Sequence, residues 1–292
     1  YFSQHPPHVL KTAFFERRKK MKPFMRCTTE EWMLLLTMCG YEVLAKSLGE
    51  EVFGEKSEES WETLFECAAH QLMLKGVWDD EKASKDEVPL ADGLQSFIRS
   101  VAEAKQLIRL SNPLTNEALL FRRIGDGQWI EHYIKQEIIQ EFHPVDAKSI
   151  EKNMHQFIEY KDLEPSNEIE FTMSNGAFTA LSDQRHVKEV KMYWLEATRQ
   201  NEAWFDEFAE ALLANDWKFF NTSVIHVSLD GEQTETDLND LLFHMPARDG
   251  VWFVRYKDVH SNEDVIIQKT SFSKWKEVCN EFLERTVFHA AK

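Results

Sequence analysis

The segments of this 292-residue chain that come nearest to reactive chemistry are two Ser-x-x-Lys strings, Ser149 to Lys152 and Ser271 to Lys274. A lysine one helical turn beyond a serine can take its proton for acyl transfer. Both strings stand at the opening turn of an expected helix, where serine is favoured as a cap or first-turn residue, and no other acyl-transfer motif joins them. Helix chemistry explains them better. Eleven histidines are scattered along the chain. Only His132 and His143 are expected near each other, on neighbouring strands. With no cysteine or carboxylate at metal-site spacing they read as solvated strand histidines rather than ligands. The cysteines, Cys27, Cys39, Cys67 and Cys279, form no CxxC pair and suit a reducing compartment. Acidic strings such as Glu50-Glu51, Glu58-Glu59 and Asp79-Asp80-Glu81 lack the loop spacing and central glycine of a calcium site. HExxH, GxSxG, GxxxxGK and GxGxxG do not occur. These patterns assign no catalytic residue, metal or cofactor. An enzyme with a dispersed site, involving Ser149, Ser271, His132 or His143, stays open as an alternative.

Nine tryptophans are many for one core, and aromatics beyond core needs favour protein interfaces. Those at helical spacing read as core. Trp129 is the exception, because it follows a Gly125-Asp126-Gly127 turn by two residues, at a hairpin tip where a core role is harder to supply.

The elements that must position these residues follow from periodicity. Thr28 and Thr29 before Glu30 and Glu31 open a helix running to Cys39; others are predicted over 60–74, stopped by Gly76, and over 92–104. Residues 79–87 read as a polar loop. From Gln106 the period shortens to that of strands: 106–110, 118–124, 128–134 and 137–142 form an antiparallel meander, followed by a helix capped by Asp146. A linker over 161–168 leads to a second run: a helix near 176–181, a long helix over 187–214, strands at 217–220, 223–229, 251–257 and 264–269, and a helix over 271–288. The two closing helices share the spacing i, i+4, i+7, i+8, in Ile150, Met154, Phe157 and Ile158 and in Trp275, Cys279, Phe282 and Leu283. The sequence therefore predicts an α+β protein of two similar helix, antiparallel-meander, helix halves related by a pseudo-twofold. Its divisions are a basic arm at 1–27, a first half at 28–164 and a second at 165–292, together one globular unit.

Composition bounds the function. Residues 1–26 carry a net charge of +6 and the whole chain −16, so the remainder stands at −22. Such a body repels phosphate backbones, which makes nucleic acid an unfavourable partner. The arm from Phe14 to Arg26 is expected to pack its aromatics on the body and solvate its charges. No run approaches roughly 18 apolar residues and no secretory signal is visible, so the chain reads as cytoplasmic.

The segment Leu72-Met73-Leu74-Lys75-Gly76-Val77-Trp78 through Pro89-Leu90-Ala91-Asp92-Gly93-Leu94 resembles the stretch of EspG-type proteins where a helix ending in a glycine turn leads to a second helix and then to strands. Residues 118–124, the Gly125-Asp126-Gly127 turn, and the 251–257 strand leading to the Ser271 helix are similar to that family's paired meanders and closing helices. The likeness spans about residues 28–288, by pattern rather than identity. The chain departs from the family in its lysine and glutamate content, its scarcity of glycine and arginine, and its basic arm. The resemblance implies a non-catalytic cytosolic chaperone of type VII secretion, shielding a helical-hairpin secreted protein of the WXG100 or LXG kind. It also implies partner contacts in a meander loop, which here carries over to Asp126, Gln128 and Trp129. A competing reading is a winged-helix-like DNA-binding regulator, built on 30–39, 60–74 and Gly76-Val77-Trp78. The acidic Glu62 and Glu66 on its second helix argue against it.

Overall fold

The computed structural model describes residues 22–158, 160, 163–230, 233–256, 258–261 and 263–285; the basic arm before Lys22 lies outside them. Strand β1 (Met25–Thr28) leads into helices α1 (Thr29–Met38), α2 (Glu42–Phe53), α3 (Glu58–Leu74), α4 (Asp80–Ala83) and α5 (Asp92–Ala102). Four strands follow, β2 (Gln106–Asn112), β3 (Glu117–Gly125), β4 (Gln128–Lys135) and β5 (Ile139–Asp146), then helix α6 (Ala147–Ile158). The second run repeats the plan: strand β6 (Ile169–Met173), helices α7 (Asn175–Ala180), α8 (Val187–Thr198) and α9 (Glu202–Ala214), strands β7 (Phe220–Asp230), β8 (Gln233–Ala247), β9 (Gly250–Arg255) and β10 (Val265–Thr270), and helix α10 (Phe272–Leu283).

All ten strands join in one antiparallel sheet of order β1-β5-β4-β3-β2-β7-β8-β9-β10-β6. Outward from the central β2–β7 pair, one side runs β2, β3, β4, β5, β1 and the other β7, β8, β9, β10, β6. Each half thus uses its strands in the same roles, the pseudo-twofold arrangement expected from the sequence. The closing helices keep the correspondence residue by residue. Asp146 Oδ1 accepts from Ser149 N (2.8 Å) and Ser271 Oγ from Lys274 N (3.1 Å), each capping its helix. Counted from those caps, Ile150 and Trp275, Met154 and Cys279, Phe157 and Phe282, and Ile158 and Leu283 are equivalent, and all eight are buried in one cluster. His155 and Asn280, equivalent by the same count, meet at 3.1 Å where the helices pack together. Contact between like positions is what a twofold requires on its axis.

Strand alternation sorts the core into two faces. Ile108, Leu119, Phe121, Trp129 and Tyr133 point to the face covered by α6 and α10, together with Val224, Leu242, Val251 and Phe253 from the second half. The opposite face carries a helical layer at each end. Trp32, Leu36 and Ile98 pack there over Ile130 and Phe142, and Trp194, Phe205 and Phe208 pack over Phe171, Trp252 and Ile267. Thr28 and Glu31 form a reciprocal cap at the start of α1, Glu31 Oε2 accepting from Thr28 N at 2.7 Å. The same carboxylate takes Lys75 Nζ at 2.6 Å, tying α1 to the end of α3.

Several expectations are corrected. No strand was read at the end of the arm, where Met25–Thr28 adds a strand to β5 and Arg26 Nε donates to Glu141 Oε1 at 2.8 Å. The long helix over 187–214 is two helices. Arg199 ends α8 in the left-handed region (φ 55°), and Asn201 restarts α9 by capping Ala203 N. Trp217 belongs to no strand; with Asp216 it is left-handed (φ 58° and 52°), and β7 begins at Phe220. The 79–87 loop contains the short α4, capped by Asp79. Strands β6 and β8 and helix α2 stand where no element was read. The tail of the closing helix beyond Arg285 lies outside the described residues.

Candidate binding groove

Between its two helical layers, the face opposite α6 and α10 exposes the middle of the sheet. Register fixes its floor. One row across the strands is Ile225, Leu107, Arg122, Ile130; the next is Ser223, Arg109, Leu120, His132; the third is Asn221, Ser111, Ala118, Ile134. Leu107, Ala118 and Leu120 form an apolar strip with half-buried Ile134, Ile225 and Val227. Leu238 and Leu241 extend it onto β8, also half-buried. One wall is α2, which brings Leu44, Leu48, Glu51 and Val52 to a cavity of about 490 Å³ above β2 and β3. These positions recur at helical spacing, so α2 presents a single face to the cavity.

Polar groups anchor the floor. His132 Nε2 shares a 2.6 Å hydrogen bond with Gln140 Oε1, and Gln140 Nε2 donates to Thr29 Oγ1 at 2.8 Å, which links the strands to α1. Arg122 is different. Its Nε is shut from water and, among the described residues, has no hydrogen-bond partner. Burial, with a lesser push from the Arg109 charge, draws its guanidinium down to about 10.

The residues singled out from sequence fall in three places. Asp126 and Gln128 are exposed at the β3–β4 tip, at the end of the strand that carries Arg122. Asp126 stands 3.7 Å from Arg123. Trp129 is buried in the central cluster, so the notion that its tip position leaves it no core role fails. The reason is that β4 pairs Trp129 with Val145, and α6 begins at Ala147 and folds back over both. His132 and His143 do lie on adjacent strands, but His132 opposes Phe142 and His143 opposes Glu131, which puts the histidines on opposite faces. Ser149 and Ser271 serve the helix caps: Ser149 Oγ donates to Asp146 Oδ1 at 2.7 Å, and Ser271 is itself the cap. After Gly76-Val77-Trp78 come α4 and α5 rather than the hairpin a wing needs. The groove residues themselves were not legible as a site, because alternation places side chains on a face without saying whether that face is covered.

Among the described residues no group of three or more His, Cys, Asp or Glu is arranged to hold a metal ion, and no helix is long and apolar enough to cross a membrane.

A continuous pseudo-twofold antiparallel sheet, closed by a helix pair on one face and open between two helical layers on the other, defines an α+β protein with a central groove. Solved structures contain that fold. A chain in the structure of the Mycobacterium tuberculosis type VII secretion system chaperone EspG5 in complex with the PE25-PPE41 dimer superposes with a TM-score of 0.54 at 10% identity, over 90% of this chain and 96% of that one. At that identity the likeness is one of fold. By sequence, residues 30–278 match the family described as "Uncharacterised protein YfjC", and the chain belongs to that family. No curated protein sequence matches it.

Proposed function

We propose that this protein is a non-catalytic, cytoplasmic binding protein of type VII (ESX-like) secretion, which shields a helical-hairpin client of the WXG100 or LXG kind before export. The observation that carries the reading is the end-to-end likeness of fold to a chaperone whose solved complex contains the PE25-PPE41 dimer. The chemistry of the sheet face suits it. A helical client with an exposed apolar end loses water-exposed surface when it lies on Ile225, Val227, Leu238 and Leu241, which are only half-buried here. Asp126 and Gln128 at the β3–β4 tip supply the polar rim, and Trp129 beneath them holds the tip rigid rather than touching the client. The halves at 28–164 and 165–292 act as one unit, because the groove floor takes strands from both.

The test is co-expression with the small helical proteins encoded beside its gene. A client that is insoluble alone should become soluble and co-elute with this protein in a fixed ratio. Leu238→Asp together with Leu241→Asp should cut that recovery about tenfold or more, as expected for charges forced against an apolar interface. Soluble clients that form no complex with the folded protein would remove the reading.

A further inference from the structure

The cavity beneath α2 holds two cations with little to neutralise them. Arg109 and Arg122 occupy a diagonal on β2 and β3, and both line the cavity. Arg122 has the unpartnered, buried Nε described above. The ion pair of Arg109 is long, 4.0 Å to Glu51 on the wall. The other lining acids sit at the far end. Glu117 accepts from Thr115 at 2.8 Å beside the β2–β3 turn, and Glu137 lies in the β4–β5 turn at the same end. Five residues along a strand separate Glu117 from Arg122, roughly 17 Å. The Arg122 end is therefore positive inside a strongly acidic protein, while Leu44, Leu48, Val52, Leu107 and Leu120 give the space an apolar stretch between polar groups such as Ser47, Ser111 and His132. An apolar slot with a cationic end is complementary to a chain with an anionic head.

We propose that this cavity binds a small amphiphilic acid, a linear alkyl chain ending in a carboxylate, with the head held by Arg122 and Arg109 and the chain laid along the α2 face. At roughly 30 Å³ for each water-sized group, a space of about 490 Å³ takes on the order of sixteen heavy atoms, enough room for a medium-chain fatty acid such as decanoate with its roughly twelve. The proposed occupant is a small molecule rather than a protein and shares Ile225 with the client surface, and its titration can succeed or fail independently of the client reading.

The experiment is isothermal titration of the full-length protein with decanoate, below its micellar concentration, beside decanol as the uncharged analogue. Decanoate should bind one to one and at least about tenfold more tightly than decanol, the margin a charge-assisted fork supplies. Arg122→Gln should erase that margin while leaving decanol affinity within about twofold. Leu48→Trp, which fills the slot from the wall, should abolish binding of both, with an unchanged circular dichroism spectrum showing that the variant is folded. Absence of decanoate binding, equal affinity for decanoate and decanol, or a margin that survives Arg122→Gln would overturn the proposal.

Discussion

At the scale of single residues, burial decides what the titratable groups do. His244 is sealed within the face covered by the closing helices, stacked on Phe220 and packed against Trp275. Tyr160 Oη lies 2.6 Å from its Nδ1, and Thr222 Oγ1 lies 3.4 Å from Nε2. Burial lowers its pKa from 6.5 to about 3, so the imidazole is neutral in the folded protein and shares a hydrogen bond with the Tyr160 hydroxyl. In the unfolded chain the same group protonates near 6.5. The unfolded state therefore binds the extra proton between those values, and stability is lost as pH falls from about 6.5 towards 3, by at most about 1.4 kcal/mol per pH unit. Urea midpoints measured across this range should fall for the wild type. In His244→Gln they should start lower, because Tyr160 loses its partner, but fall less steeply. Parallel slopes for the two proteins would show that another group carries the acid sensitivity.

At the scale of elements, local chemistry made most of the fold legible. The Thr28 cap, the Gly125-Asp126-Gly127 turn and the Asp146 and Ser271 caps each satisfy backbone groups within a few residues, so each leaves a mark in sequence. What stayed hidden depends on distant partners. Strand β8 opens on a polar run, Gln233 to Asp237, and takes its pairing from β7 and, further along, from β9. Strand β6 follows Pro165, Ser166 and Asn167 so closely that the linker signal masks it. Helix α2 was obscured by Gly49, which costs helix stability unless something demands it. The structure supplies the demand: a β-carbon there would sit 2.5 Å from Met33 Cε and 2.7 Å from Trp61 Cη2. Propensity alone would make Gly49→Ala stabilising by up to about 1 kcal/mol. Overpacking against Trp61 reverses the sign, and the variant should lose about 1 to 3 kcal/mol in urea unfolding. A gain in stability would mean that α2 is free to move away from α1 and α3.

At the scale of the whole molecule, the repeat visible in the closing helices has a consequence for stability. The central cluster is not two cores in contact: Ile108, Leu119 and Phe121 from one meander pack with Val224, Val251 and Phe253 from the other, beneath both α6 and α10. The sheet is equally continuous, since β2 and β7 are each other's neighbours along Gln106–Ser111 and Asn221–His226. Cutting the chain in the linker near Leu163 would expose one face of that cluster on each fragment, and an unpaired strand where the sheet had its middle. Exposed edges of this kind invite aggregation, and each fragment also loses part of the apolar burial that offsets its chain entropy. Residues 22–164 and 165–292 made separately should therefore give aggregated or poorly dispersed material with no cooperative unfolding transition. Made together from two messages, they should associate one to one and unfold in a single step, because β2–β7 pairing and the Trp275, Phe157 and Phe282 cluster re-form only in the pair. Sharp, dispersed amide spectra from either fragment alone would mean that each half folds independently, and that the groove is an interface between domains rather than the middle of one sheet.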